Sequence, residues 1–348
     1  MTTTSDPRAS EAHRIEVDCG AAIELRLFAP ATGTATGAVL IGGAMGVRQA
    51  FYRPFAQWLA DQGYVVATFD YRGVGDSRAA SLRGFDADLF AWARDTDAAI
   101  DALVRRAGDV PLYVVGHSLG AQLPGLLRHR DRIAGLVSIA AGSGYWRDNA
   151  PRLKRSVLYF WYVLVPLATT LFGYFPAARL KKVGDLPRGV VLQWRRWCLH
   201  PRYHVGAEGE QVRAQFEGAR FPLVALSLTD DELMTERGTH VLVDCYANAP
   251  RRVERVAPAD VAARRIGHFG FFRDAFAPTL WARTAGWLSE FHLAKEPTTS
   301  ASAPRPSTAW RRSRSRGPRR RTRSPAPCTR RWPTPSMRRR RTRRSGRC

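Results

Sequence analysis

The sequence predicts an α/β fold, a mostly parallel central sheet flanked by helices, and three observations predict it. Through the first half of the chain, short apolar runs alternate with amphipathic stretches of helical spacing, as parallel strands joined by crossover helices require. Glycine-rich turns close several of those runs. Residues 145–220, rich in aromatics and arginine and without strand-like runs, interrupt the alternation before it resumes.

Val39 to Ile41, within AVLIGG, reads as a buried strand ending in glycines. Tyr52 to Asp61 reads as a helix, because Phe55, Trp58 and Leu59 share one face. Tyr64 to Phe69 (YVVATF) is a second buried strand, and the loop DYRGVGDSR follows it. Asp86 to Arg106 predicts a long helix, with Leu89, Phe90, Ala93, Ile100 and Leu103 at helical spacing. Leu112 to Val115 is a short strand running into GHSLG, with a helix expected from about Leu119. Ile133 to Ala140 is the next strand. After the interruption come Phe221 to Leu228 and Arg251 to Val256 as strands, and Pro278 to Leu293 as a closing helix.

This divides the chain into a flexible N-terminus (1–16), a core in two parts (17–144 and 221–296), an inserted cap (145–220) and a tail (297–348). A length of 348 residues, 45% hydrophobic, supports one large core. The net charge of +24 invites a nucleic-acid reading until it is located. Residues 297–348 hold 18 Arg and no Asp or Glu, and subtracting these leaves +6 for the rest. The tail has no apolar period, so disorder is expected. It also has no lysine, unlike most evolved basic arms. Out-of-frame translation of GC-rich DNA fits that composition better than a phosphate-binding arm, and nucleic acid is not an expected partner. Five scattered cysteines without a CxxC pair, and a polar N-terminus, lead us to expect reduced thiols in a cytoplasmic protein.

Chemistry concentrates at Gly116-His117-Ser118-Leu119-Gly120. A serine on a tight strand-to-helix turn needs small residues two positions before and after it, where Gly116 and Gly120 stand. The N–H of Leu119 then faces a developing oxyanion, and a second donor is expected from Ala44 or Met45 after the AVLIGG strand. A serine hydroxyl at its ordinary pKa is a weak nucleophile and needs a base oriented by a carboxylate; in folds that carry such an elbow, these follow the serine in the order acid, then His. Asp231, after the strand FPLVALSL, is the expected acid, with Asp230 as the alternative. Of eight histidines, only His268, flanked by glycines in RIGHFGFF, follows the last strand.

Three stretches together, AVLIGGAMG with FYRPFAQWLADQGYVVATFDYRGVGDS, YVVGHSLGAQ, and PLVALSLTDDE with RIGHFGFF, resemble the α/β-hydrolase superfamily. More closely they look like bacterial α/β hydrolases of unassigned substrate. The resemblance spans about residues 17 to 293 and implies the α/β-hydrolase fold, the triad roles and hydrolysis of an ester-like bond. It also implies structural roles for Asp70, Arg72, Gly73 and Gly75. Gly42-Gly43 stands where many relatives carry His-Gly, which leaves the second oxyanion donor open.

The expected function is therefore a serine hydrolase acting on a small acyl substrate, ester or thioester, through an acyl-enzyme on Ser118. No metal and no organic cofactor is required. An acyltransferase on the same triad and a non-catalytic binding protein using the basic tail are the alternatives. Residues 156–178 run 23 positions without a charge, enough to span a bilayer. A span there would place Ser118 and His268 on opposite sides of the membrane. The stretch is thus expected to be a cap suited to apolar acyl chains, with peripheral membrane contact as a second use.

Overall fold

The computed structural model describes residues 10–30, 33–180 and 183–295. An eight-stranded sheet is built from β1 (Glu11–Glu16), β2 (Ala22–Phe28), β3 (Gly37–Gly42), β4 (Tyr64–Phe69), β5 (Leu112–His117) and β6 (Ile133–Ile139), followed after the cap by β9 (Leu223–Leu228) and β10 (Arg251–Val256). Their order across the sheet is β1-β2-β4-β3-β5-β6-β9-β10. β2 runs antiparallel to both β1 and β4, and every other pairing is parallel. The parallel strands from β3 to β9 are buried along their whole length, which is why they read as continuous apolar runs.

Helices α1 (Arg53–Asp61) and α2 (Leu89–Ala107) make the first crossovers. Asp88 caps α2 by accepting from the N–H of Ala91 at 2.7 Å. α1 buries Phe55 and Leu59 with Trp281 and Phe271 on one face of the sheet, and α2 buries Trp92, Ile100 and Leu103 on the other. The register of β3 on β5 sets Gly42 opposite Gly116, so both strands deliver their carboxyl ends to one place.

Two expectations need correction. Residues 11–16 are strand β1 rather than a flexible N-terminus; nearly all of its residues are exposed, which erases the alternation that reveals a strand. The strand β2 also went unread. Beyond the elbow there is no long helix: 3-10 turns at Ser118–Ala121 and Pro124–Leu126 take its place. Pro124 lacks the N–H that an α-helix would need there, and Gly125 lies under Phe216, within 2.6 Å of where a Cβ would sit. The tail, 297–348, and residues 1–9 lie outside the described residues.

The cap enters between β6 and β9. It comprises α3 (Lys154–Tyr159), a π turn at Phe160–Leu164, α4 (Val165–Phe172), a two-residue hairpin of β7 (Tyr174–Phe175) and β8 (Leu186–Pro187), α5 (Arg188–Leu199), α6 (Tyr203–Ala207) and α7 (Glu210–Gly218). After it, α8 (Glu236–Asp244), the one-turn α9 (Gly267–Gly270) and α10 (Ala282–Lys295) complete the core.

Candidate active site

Strand β5 ends at His117, and Ser118 follows with φ +51°. A non-glycine residue in that region is strained by about 1–3 kcal/mol, so the surroundings must hold it. They do so by close approach: a Cβ on Gly120 would lie 2.1 Å from the Gly42 carbonyl oxygen, and one on Gly116 would lie 2.5 Å from the Ala121 backbone. Only glycine lets β3 and β5 close around the turn. Ser118 opens the 3-10 turn and Leu119 is its second residue, at the end where backbone N–H groups have no partner within the turn.

At the far end of the chain, three consecutive acidic residues divide one task. Asp230 Oδ2 accepts from the N–H of Ile266 (2.8 Å) and Gly267 (3.1 Å). Asp231 meets the imidazole of His268, with Nδ1 at 2.9 Å from Oδ2 and 3.1 Å from Oδ1. Its Oδ1 also accepts from the N–H of Leu233 and Met234, both at 2.8 Å. Glu232 Oε2 accepts from the N–H of His268 at 3.1 Å and the carboxylate pairs with Arg265. Burial pushes the Glu232 carboxyl up, but backbone N–H groups, its own and that of His268, with Arg265 beyond them, outweigh this and hold it below the usual range. Asp230 thus shapes the backbone, Asp231 aims the ring and Glu232 holds the residue itself. Because Asp231 presents acceptors, His268 Nδ1 is the donor, which leaves the Nε2 lone pair available. His268 stands on the single turn α9 rather than in an irregular loop.

His268 reaches the elbow through its neighbour. His117 Nε2 lies 3.0 Å from the His268 carbonyl oxygen, and the two rings are 5.1 Å apart at their centroids. A carbonyl only accepts, so Nε2 of His117 donates and Nδ1 keeps its lone pair. Tyr52 Oη, 3.0 Å from that Nδ1, donates into it and accepts from the N–H of Ala44 at 2.7 Å. Burial, with the nearby His268 ring second, pushes His117 well below its usual range, which keeps it neutral for this chain of bonds. Among the described residues no hydrogen bond joins Ser118 Oγ to the His268 ring.

These bonds bear on the two expected oxyanion donors. The Ala44 N–H is already committed to Tyr52, whereas that of Met45 has no partner among the described residues. Tyr52 and Glu232 were the residues that the sequence reading missed as parts of this site. Glu232 carried a signal, since it completes the acidic run, but Tyr52 looked like an ordinary helix start.

The loop after β4 supports the floor. Asp70 accepts from the N–H of Gln49 (2.7 Å) and Asp76 (2.9 Å), and a Cβ on Gly75 would fall 2.2 Å from its Oδ2. Arg72, buried, binds Asp95 through Nε at 2.8 Å and also pairs with Asp18. The cap touches the loop after β3 directly, where the Gly184 N–H donates to the Gly46 carbonyl at 2.9 Å. Ser118, His268 and Asp231 are all buried. A surface cleft lined by Arg130, Arg220, Phe221 and Phe291 lies instead at the amino ends of β6 and β9, away from these groups. Among the described residues, no group of three His, Cys, Asp or Glu is placed to hold a metal ion.

Comparison with known proteins agrees with this fold. The chain resembles monoglyceride lipase of Saccharomyces cerevisiae, solved as a soluble variant, at 15% identity and a TM-score of 0.61, over 84% of this chain and 97% of that one. A carboxyl esterase from Bacillus coagulans aligns at 12% identity and a TM-score of 0.57, over 81% of this chain and 99% of that one. At these identities the likeness is one of fold. Among curated proteins, the lysophosphatidylserine lipase ABHD12 of Gallus gallus is 37% identical over 126 residues, covering 32% of this chain and 30% of the relative. Its counterpart in Danio rerio is 44% identical over 66 residues, 18% of this chain and 15% of the relative. The chain thus matches less than a third of the length of these relatives. Residues 33–257 match the family described as serine aminopeptidase, S33, and from the sheet order, the glycine-closed elbow and that match together, the chain belongs to this family of serine hydrolases with the α/β-hydrolase fold.

Proposed function

We propose that this protein hydrolyses an ester-like bond in a substrate with an apolar acyl chain, by way of an acyl-enzyme on Ser118. The observation that carries the reading is the hydrogen bond from His268 Nδ1 to Asp231, at 2.9 Å, on a helical turn tied to the residue next to Ser118.

In this mechanism His268 Nε2 takes the Ser118 proton as Oγ attacks the carbonyl carbon. Asp231 holds the tautomer and stabilises the imidazolium that forms. The N–H groups of Leu119 and Met45 receive the oxyanion, each such donor contributing about 10²–10³ in rate. His268 then protonates the leaving group, and water hydrolyses the acyl-enzyme by the same path in reverse. The bond between Oγ and Nε2 is one that substrate binding tightens in such sites. The apolar preference rests on the cap, whose interior is Trp161, Val165, Phe175, Val190 and Val191, and on the lipases and esterases that share the fold.

A panel of p-nitrophenyl esters from acetate to palmitate tests the reading. Medium or long chains should give the highest kcat/KM, with a burst of nitrophenol equal to the enzyme present. A flat panel without a burst, or cleavage of aminoacyl amides in preference to esters, would count against it.

A further inference from the structure

Among the described residues, the five exposed large apolar residues of the cap all fall on one helix, the continuous run Lys154–Phe172 formed by α3, the π turn and α4. They are Tyr159, Tyr162, Val163, Leu167 and Leu171, each between 45% and 60% exposed. Only two other large apolar side chains among the described residues are comparably open, Phe51 and Leu293. Singly exposed leucines need no explanation, but a contiguous apolar face does.

The spacing makes it a face. Tyr159, Val163, Leu167 and Leu171 recur every four residues, with Tyr162 beside them. On a straight α-helix of 3.6 residues per turn such a repeat drifts sideways, and the wider π turn at Phe160–Leu164 offsets part of that drift. The opposite side anchors the helix to the protein through Trp161, Val165, Ala168 and Thr169, all buried. Only 22% of the stretch is buried, although its length and composition would let it cross a membrane. Anchored in this way it cannot leave the fold to span a bilayer, so it can only lie against one.

Charge decides what it would lie against. Arg152, Lys154 and Arg155 stand at the start of the helix, Arg83 and Arg179 at its end, and Arg195 along its flank. Arg83 Nη2 donates to the Leu171 carbonyl, Arg179 sits over the Phe172 ring and Arg195 over the Tyr162 ring, at 5.3 Å in both ring contacts. None of these six cations pairs with a carboxylate among the described residues, whereas thirteen other arginines do. An apolar face with aromatic residues, rimmed by cations that lack a carboxylate partner among the described residues, has the composition of an interfacial helix on anionic lipid.

We propose that the face formed by Tyr159, Tyr162, Val163, Leu167 and Leu171 seats the protein on the surface of an anionic lipid bilayer, with the apolar side chains in the acyl boundary and the six cations among the headgroups. The helix also connects to the elbow. Trp161 packs on Trp194 with centroids 5.0 Å apart, Trp194 Nε1 donates to Tyr203 Oη at 3.1 Å, and Tyr203 Oη donates to Gln122, four residues after Ser118, at 2.8 Å. The surface does not depend on Ser118 being the nucleophile.

The arginine-rich tail of the full chain would itself attract anionic vesicles, so binding alone is not the test. Hydrogen exchange is measured on the full chain with and without vesicles of phosphatidylcholine and phosphatidylglycerol at 7:3, in parallel with cosedimentation of wild type and the double variant Leu167→Ser/Leu171→Ser. The expected result is slower exchange across peptides spanning residues 156–172 on vesicles, and cosedimentation about tenfold weaker for the double variant at 0.5 M NaCl, where tail electrostatics are screened. Unchanged exchange across 156–172 while the protein cosediments would assign binding to the tail and overturn the proposal. Protection that appears without vesicles and grows with protein concentration would overturn it too, by showing a second copy on the face. The two serines fall on exposed positions, and an unchanged circular dichroism spectrum separates loss of binding from loss of fold.

Discussion

His117 Nε2 donates to the carbonyl oxygen of His268 across 3.0 Å, joining the residue before Ser118 to the backbone of the residue that would activate it. The bond is the last of a directed series that begins at the Ala44 N–H and passes through Tyr52 and the His117 ring. The loop after β3, the turn leading into α1, the elbow and the His268 turn are therefore held by one set of buried hydrogen bonds. Such sets are costly to break in part, because each orphaned group loses its partner without regaining water.

Tyr52→Phe tests that series. It removes one hydroxyl and leaves two buried groups, the Ala44 N–H and His117 Nδ1, without partners. The expected cost is about 1–3 kcal/mol for each orphaned group, read as a lower denaturation midpoint in urea at pH 7. Ester hydrolysis should fall with it. A variant as stable and active as wild type would show that the bonds carry no load.

The acidic run separates into roles by substitution. Asp231→Asn should lower kcat by about 10⁴, the effect of losing the tautomer-setting carboxylate in such sites, with little change in stability. Asp230→Asn should act mainly on stability, because its carboxylate binds only the N–H groups of Ile266 and Gly267. Comparable losses of kcat in both would mean that the division of labour is wrong.

Gly120→Ala places a Cβ 2.1 Å from the Gly42 carbonyl oxygen. Both partners are backbone, so β3 and the elbow must move apart. Overpacking of this kind costs about 1–3 kcal/mol, and the displaced Leu119 and Met45 donors should reduce kcat far more than KM. Kinetics on a soluble ester, with thermal melting alongside, separates the two effects.

His204 gives a pH dependence. It is buried in the cap, stacked on Phe216 at 4.3 Å, and neither ring nitrogen has a partner among the described residues. Burial pushes its pKa from 6.5 down to about 3. The unfolded chain therefore takes up a proton at this residue between those values that the folded chain refuses. Its contribution to stability is complete above pH 6.5 and is lost as pH falls towards 3, at about 1.4 kcal/mol per unit well inside the window. By pH 5 the loss is about 2 kcal/mol. His204→Phe keeps an aromatic ring on Phe216 and should lose less stability than wild type between pH 7 and pH 5, measured by urea denaturation. Equal losses in the two proteins would contradict the assignment.

The sheet interior was legible because fully buried parallel strands are continuous apolar runs, and β4 has the bounds that its residues suggest. The edge strand β10 was also read with its bounds, but the opposite edge was not. β1 carries Glu, His and Arg on both faces and earns no apolar pattern, so pairing with β2 rather than composition makes it a strand. Ser118, Asp231 and His268 could be named because each stands beside a local signature, a glycine pair or the end of an apolar run. Tyr52 has no such mark: its role depends on the fold bringing His117 and Ala44 to its hydroxyl from 65 and 8 residues away. The commitment of Ala44 to Tyr52 is likewise a tertiary fact, and without it Ala44 and Met45 are equivalent.

Reaction of the full chain with a fluorophosphonate, followed by intact mass and peptide mapping, reaches the central claim most directly. One adduct per chain, on the peptide bearing Ser118, absent from Ser118→Ala and strongly slowed in His268→Ala, is the predicted result. An adduct on another serine, or modification of Ser118 at the same rate without the imidazole at 268, would contradict it.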